Sequence, residues 1–179
     1  MVSESQIRRL ATGVALICVA LVVCTLAFGL SPRLRKALGF GPTTAASYTV
    51  GEQVDLPSAE FEAAPITVVL FARSTCGTCQ RSAPTFAAMF GQVRPDPGVR
   101  IRLIANGANH VDEVAYAHTV GLGEPDMRTL DVTHLRLRVV PTLLLLDRRG
   151  TIHYSSEGLP SPAQQDEFQR AVTSLSAER

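Results

Sequence analysis

Pro65-Ile66-Thr67-Val68-Val69-Leu70-Phe71-Ala72 runs straight into Arg73-Ser74-Thr75-Cys76-Gly77-Thr78-Cys79, and this junction decides how the rest of the chain is read. The first eight residues are apolar and rich in β-branched side chains, the pattern of a strand buried on both faces. Beyond the cysteines, Ala83, Phe86, Ala87 and Phe90 recur at helical spacing, so a helix is expected over Gln80 to Phe90, closed by Gly91. A Cys-x-x-Cys placed where a strand becomes a helix has a chemical use. The first cysteine meets the unsatisfied N–H groups and the positive end of the helix dipole, both of which favour a thiolate. Thiolate is the attacking species in thiol–disulfide exchange. The second cysteine, one turn on, lies within reach of the mixed disulfide that results. Cys76 is therefore the expected nucleophile and Cys79 the resolving thiol, with Arg73 adding positive charge nearby.

The same reading extends along the chain. Val99 to Ala105 is expected to be a strand and Val111 to Val120 a helix. Val139 to Asp147 is a second strongly apolar strand with Pro141 at its mouth, and Arg148-Arg149-Gly150 turns it into Thr151-Ile152-His153-Tyr154. After the breaker Pro160-Ser161-Pro162, the stretch Ala163 to Leu175 carries Phe168, Val172 and Leu175 on one helical face. Strand and helix alternate, then a hairpin and a terminal helix follow, which predicts an α/β domain with a mixed central sheet flanked by helices.

Composition narrows the function. A chain of 179 residues holds one ordinary domain plus appendages. Tryptophan is absent and aromatics make up only 6%, so Leu, Val, Ile and Ala must fill the core. Seventeen basic against 16 acidic residues leave a net charge of +1, without the basic excess of a nucleic-acid-binding protein. Zinc would want a second Cys-x-x-Cys or a closely spaced histidine pair, and His110, His118, His134 and His153 supply none. A bridge between Cys76 and Cys79 closes almost no loop, so a structural disulfide has little to contribute there. Redox chemistry without metal or cofactor is what remains.

The N-terminus reads as an address. From Leu10 to Leu30 no charged residue occurs, and a helix of that length spans roughly 31 Å, the thickness of a bilayer's hydrocarbon core. Arg8-Arg9 bound it on one side and Arg33, Arg35 and Lys36 on the other. A retained anchor is favoured over a cleaved signal peptide, whose apolar region is usually about 7–15 residues. Ala27-Phe28-Gly29 leaves the cleaved form open. The basic flanks nearly tie, so charge does not set the orientation. Cys18 and Cys24 fall inside this run, about 240° apart around a helix axis, and cannot bridge within it. The expected organisation is a tail over 1–9, a transmembrane helix over 10–30, a basic juxtamembrane linker over 31–47 and a domain over 48–179.

From Tyr48 to Ala177 the chain resembles the thioredoxin-like superfamily, and in particular its membrane-anchored TlpA/ResA-like branch. Four features carry the resemblance: the strand entering Cys76-Gly77-Thr78-Cys79; Pro84, eight residues after Cys76; Val140-Pro141-Thr142; and the Asp147-x-x-Gly150-x-Ile152 turn beyond it. Val50-Gly51-Glu52-Gln53-Val54 is similar to the branch's N-terminal extension, and Gly107 to Met127 occupies the place of its insertion. The resemblance implies a cis Val140–Pro141 bond, which only proline readily adopts. That bond turns the Val140 backbone toward the cysteines to pair with an extended peptide. It also implies substrate contacts at Val140, Pro141, Gly77 and Thr78. The activity implied is reduction of disulfides in extracytoplasmic proteins, by a periplasmic-side domain recharged from a membrane or periplasmic electron donor.

The departures are equally specific. Thioredoxins carry a buried aspartate six residues before the first cysteine, where this chain has Leu70. Some ResA-like members carry a carboxylate three residues after the second, where it has Ser82. Thr75 replaces the usual aromatic before the first cysteine. The intervening Gly77-Thr78 holds no basic residue to stabilise the reduced thiolate, which favours a reductant over a strong oxidant. Arg73 stands where a peroxiredoxin needs threonine. A non-enzymatic alternative is an accessory or metallochaperone-like protein for maturation of a periplasmic enzyme. Copper-delivery relatives, however, prefer Cys-x-x-x-Cys and a later histidine.

Overall fold

The structure is a computed structural model that describes residues 47–105 and 109–178. The expected tail, transmembrane helix, Cys18, Cys24 and nearly all of the linker lie outside the described residues. Among the described residues no helix is long and apolar enough to cross a membrane.

β1 spans Ile66–Ala72 and all seven of its residues are buried. It is followed by α1 (Gly77–Val93), β2 (Val99–Ala105), α2 (His110–Thr119), β3 (Met127–Thr129), β4 (Thr142–Asp147), β5 (Ile152–Glu157) and α3 (Pro162–Ala177). The strands form one sheet in the order β3-β2-β1-β4-β5. β1, β2 and β3 run parallel, with Ile66 opposite Val99 and Leu103 opposite Met127. β4 is antiparallel to β1, with Leu70 opposite Leu143, and β5 is antiparallel to β4. Parallel neighbours need a crossover, and right-handed crossovers made in one direction put their helices on one side of the sheet. Accordingly α1 and α2 share a face.

Alternation along β1 divides the core. Ile66, Val68, Leu70 and Ala72 point to the helical side, where they meet Phe86 and Phe90 of α1, Tyr116 and Ala117 of α2, and Phe168 and Val172 of α3. Val69 and Phe71 point to the opposite side, against Tyr48, Val54, Leu56, Phe61 and Leu135. The expected sheet flanked by helices thus carries its α-helices on one face only. On the other, an N-terminal strap and the segment before β4 supply the cover. Gly51 N–H donates to Ile152 O at 2.8 Å, Ile152 N–H to Glu52 O at 2.9 Å and Val54 N–H to Gly150 O at 3.0 Å, so the strap lies along the start of β5. The guanidinium of Arg136 sits 4.7 Å over the Tyr48 ring and pairs with Glu52 at 3.2 Å and Asp55 at 3.3 Å, tying the two covering segments together.

Three expectations need correction. α1 does not end at Gly91. It begins earlier, at Gly77, and continues to Val93, because Phe90 and Val93 bury on the sheet while Gly91 faces open space. Burial on one stripe outweighs the propensity cost of a single exposed glycine, roughly 1 kcal/mol. The strand read from Val139 begins only at Thr142. Pro141 has no N–H to give a ladder, and Val139 O instead accepts the Thr142 hydroxyl at 2.7 Å. β3 was not anticipated, since three residues carry no readable alternation.

Candidate active site

Cys76 is the N-cap of α1. Its Sγ accepts the Cys79 N–H at 3.2 Å, and its carbonyl accepts Gln80 N–H at 3.0 Å to begin the helix. Side-chain acceptors at this position satisfy one of the helix's orphan donors, and sulfur fills the role here. Upstream, Cys76 N–H closes a turn onto Arg73 O at 3.1 Å. Cys76 is half-buried and Cys79 is buried, and both are free thiols. On the far side, Cys76 Sγ–H donates to Val140 O at 3.5 Å, and the Val140–Pro141 peptide is cis. β1 and β4 are neighbours in the sheet, and the loop ending at Pro141 enters β4 beside the C-terminal end of β1. That register brings residues 64 positions apart to one sulfur.

Burial pushes the Cys79 thiol up to about 12 from its ordinary 9.0, with the hydrogen bond to Cys76 adding to the rise and a main-chain hydrogen bond from Arg73 opposing it. At neutral pH the second cysteine therefore keeps its proton until exchange begins. The effect of Arg73 on Cys79 comes through its backbone. Its side chain is exposed.

The other expected contacts fall around the same sulfur. Gly77 is exposed at the first turn of α1, and Thr78 is half-buried with its Oγ1 accepting Arg81 Nη2 at 3.1 Å. Pro141 is buried and Val140 half-buried. Leu70 and Ser82 are both fully buried, and Ser82 Oγ donates to Thr78 O at 2.7 Å and Cys79 O at 3.2 Å within its own helix. Neither position offers a carboxylate.

Two residues of α2 went unread in the sequence. Tyr116 donates its hydroxyl to Cys79 O at 3.3 Å, and its own ionisation is raised by burial and then by the neighbouring cysteines. Glu113, only 1% exposed, accepts hydrogen bonds from the backbone and hydroxyl of Ser74. The signal available was their i, i+3 spacing, which sets both on one face of a helix beside the cysteines. A groove of ≈ 580 Å³ opens between α1 and α2, lined by Ser74, Thr75, Gln80, Pro84 and Tyr116. Among the described residues no His, Cys, Asp and Glu cluster could hold a metal ion.

No family model matches the sequence, and no curated protein matches it. Solved structures do. A thiol:disulfide interchange protein from Bacteroides sp. superposes with a TM-score of 0.53 at 16% identity, covering 73% of this chain and 93% of that one. A thioredoxin-family thiol:disulfide interchange protein from Chlorobium tepidum gives 0.51 at 16% identity, covering 73% and 98%. A candidate interchange protein DsbE from the same organism gives 0.51 at 19% identity, covering 64% and 82%. At these identities the likeness is one of fold, and the fold is thioredoxin-like.

Proposed function

We propose, from a thioredoxin-like fold that carries a dithiol at the mouth of α1, that this chain is a thiol–disulfide oxidoreductase. We read it as a TlpA/ResA-like protein anchored by residues 10–30, linked through 31–47, with its domain over 48–179 on the periplasmic side. The observation that carries the chemistry is the seat of Cys76. Its sulfur accepts a helix N-terminal amide, lies against Val140 O, and has Cys79 one turn away. Cys76 as thiolate attacks a substrate disulfide, forming a mixed disulfide while the departing substrate sulfur takes a proton. Cys79 then gives up its proton, bonds to Cys76 Sγ, and breaks the bond to the substrate, whose second thiol leaves protonated. Two electrons pass to the substrate and a Cys76–Cys79 disulfide remains, which a membrane or periplasmic dithiol donor must reduce.

Val140, Pro141, Gly77 and Thr78 form the platform for the substrate chain. The exposed side chains of Val139 and Leu159 flank it, and Gly158 N–H on Pro141 O at 2.7 Å holds that rim together. The intervening Gly77-Thr78 offers no basic side chain to stabilise the reduced thiolate, which supports a reductant over an oxidant. Cys76→Ser is expected to abolish reduction of an insulin-type disulfide, and Cys79→Ser to trap the substrate as a mixed disulfide visible on a non-reducing gel. Full activity in Cys76→Ser would end the proposal. A dithiol that never cycles, measured in a glutathione redox titration, would favour the accessory-protein reading instead. Reporter fusions after residue 47 test the side of the membrane.

A further inference from the structure

Glu113 is a carboxylate at 1% exposure whose two oxygens are spent on one residue. Oε1 and Oε2 each accept Ser74 N–H at 3.1 Å, and Oε1 also accepts the Ser74 hydroxyl at 2.8 Å. From the other side, Gln80 Nε2 donates to Ser74 O at 2.7 Å. Every hydrogen-bonding group of Ser74 is therefore gripped, by α2 on one flank and α1 on the other. Ser74 is the second residue of the turn that Cys76 N–H closes onto Arg73 O. This turn leads directly to the nucleophile, and its first residue gives a main-chain hydrogen bond to Cys79. One helical turn beyond Glu113, Tyr116 holds Cys79 O. Burying a carboxylate costs several kcal/mol unless its oxygens are satisfied, and here the hydrogen bonds that satisfy them all come from one turn beside the dithiol.

We propose that Glu113 is a positioning residue for the second half of the exchange: by holding Ser74 it keeps the Arg73–Thr75 turn seated on the dithiol, so that Cys79 stays aligned to displace captured substrate from Cys76. The inference rests on the exchange chemistry proposed above. In the step concerned, the bond between Cys76 and the substrate breaks as Cys79 bonds to Cys76, and the Cys79 proton ends on the departing substrate sulfur. Without the clamp the turn is free to drift from Cys79, while Cys76 keeps its place as N-cap through bonds inside α1.

The test uses the full chain under single-turnover conditions with a disulfide-bonded peptide. Capture is followed as mixed-disulfide formation and resolution as peptide thiol release, in wild type, Glu113→Gln, Glu113→Leu and Ser74→Ala. Resolution is expected to slow about tenfold in Glu113→Leu, the scale of one lost hydrogen bond to a charged group, with mixed disulfide accumulating. Glu113→Gln, which keeps one oxygen for Ser74, should recover part of that rate, and Ser74→Ala should slow resolution while preserving the fold. Capture should stay within about twofold throughout. A role in stability alone would lower the melting temperature and slow both halves in step, which overturns the proposal. Unchanged resolution in both Glu113→Leu and Ser74→Ala overturns the clamp and leaves the exchange reading standing. A wild type that captures nothing overturns both.

Discussion

Against one face of the sheet, Phe86 and Phe90, Tyr116, and Phe168 bring three helices onto the even-numbered residues of β1, and Tyr154 meets Phe168 edge-on at 5.4 Å. Against the other, Tyr48, Val54, Leu56 and Phe61 arrive from a strap with almost no regular structure, fastened at Arg136. The helical face is held by continuous burial and carries both cysteines. The strap face is held by point contacts. Val140 packs on both clusters, so the residue whose carbonyl meets Cys76 is the hinge between the two regimes. A continuous core makes the dithiol rigid, and a fastened strap makes the substrate-facing loop dependent on a few polar contacts.

Substitutions can break or sharpen that contrast. Phe86→Ala should cost about 3–5 kcal/mol, read as a fall in the denaturation midpoint, because it opens a cavity at a fully buried site between α1 and the sheet. Next in size is the alkaline limb of stability in the reduced protein. Below about pH 9 the Cys79 thiol is protonated folded or unfolded, and its contribution is complete. Between its ordinary 9.0 and about 12 the unfolded thiol ionises while the buried one does not, so stability declines across that window. The disulfide form should lack this part of the decline, and identical alkaline melts of the two forms would contradict a buried thiol.

On the strap face the expected effects are smaller. Gly150 has φ +78°, and a Cβ there would meet Phe61 at 2.8 Å, so Gly150→Ala should cost about 1–3 kcal/mol by strain and displacement of that ring. Arg136→Ala removes two partly exposed ion pairs and the stacking on Tyr48, and should lower the melting temperature by clearly less than Phe86→Ala does. If Arg136→Ala equals Phe86→Ala, the contrast between the faces is wrong. If it leaves stability nearly intact yet raises KM for a disulfide peptide, the strap acts on the loop through Val140.

Legibility in the sequence follows the same division. β1, α1, β2 and the β4–β5 turn were readable because burial on sheet or helix imposes a period of 2 or 3.6 on apolar residues. Cys76, Cys79 and Pro141 stood out because their chemistry is tied to a position at an element's end. The strap left no period, so Tyr48, Leu56 and Phe61 gave no sign of forming a core. Glu113 was hidden for a different reason: a glutamate in the first turn of a helix ordinarily faces water and complements the dipole, and only the fold reveals that this one is buried. Gly91 misled because the stop signal of a glycine is conditional on what the next apolar residues touch.

The strap has one more consequence, for neighbouring copies of the chain. β5 is the outer strand of the sheet, and such a strand leaves a row of unused amides and carbonyls on which another copy could zip. Here Gly51, Glu52 and Val54 already occupy the start of that row, and His153 and Glu157 put polar side chains along the remainder. A segment that looks like loose packing is thereby a guard against self-association, of greatest use wherever many such domains are crowded onto one surface.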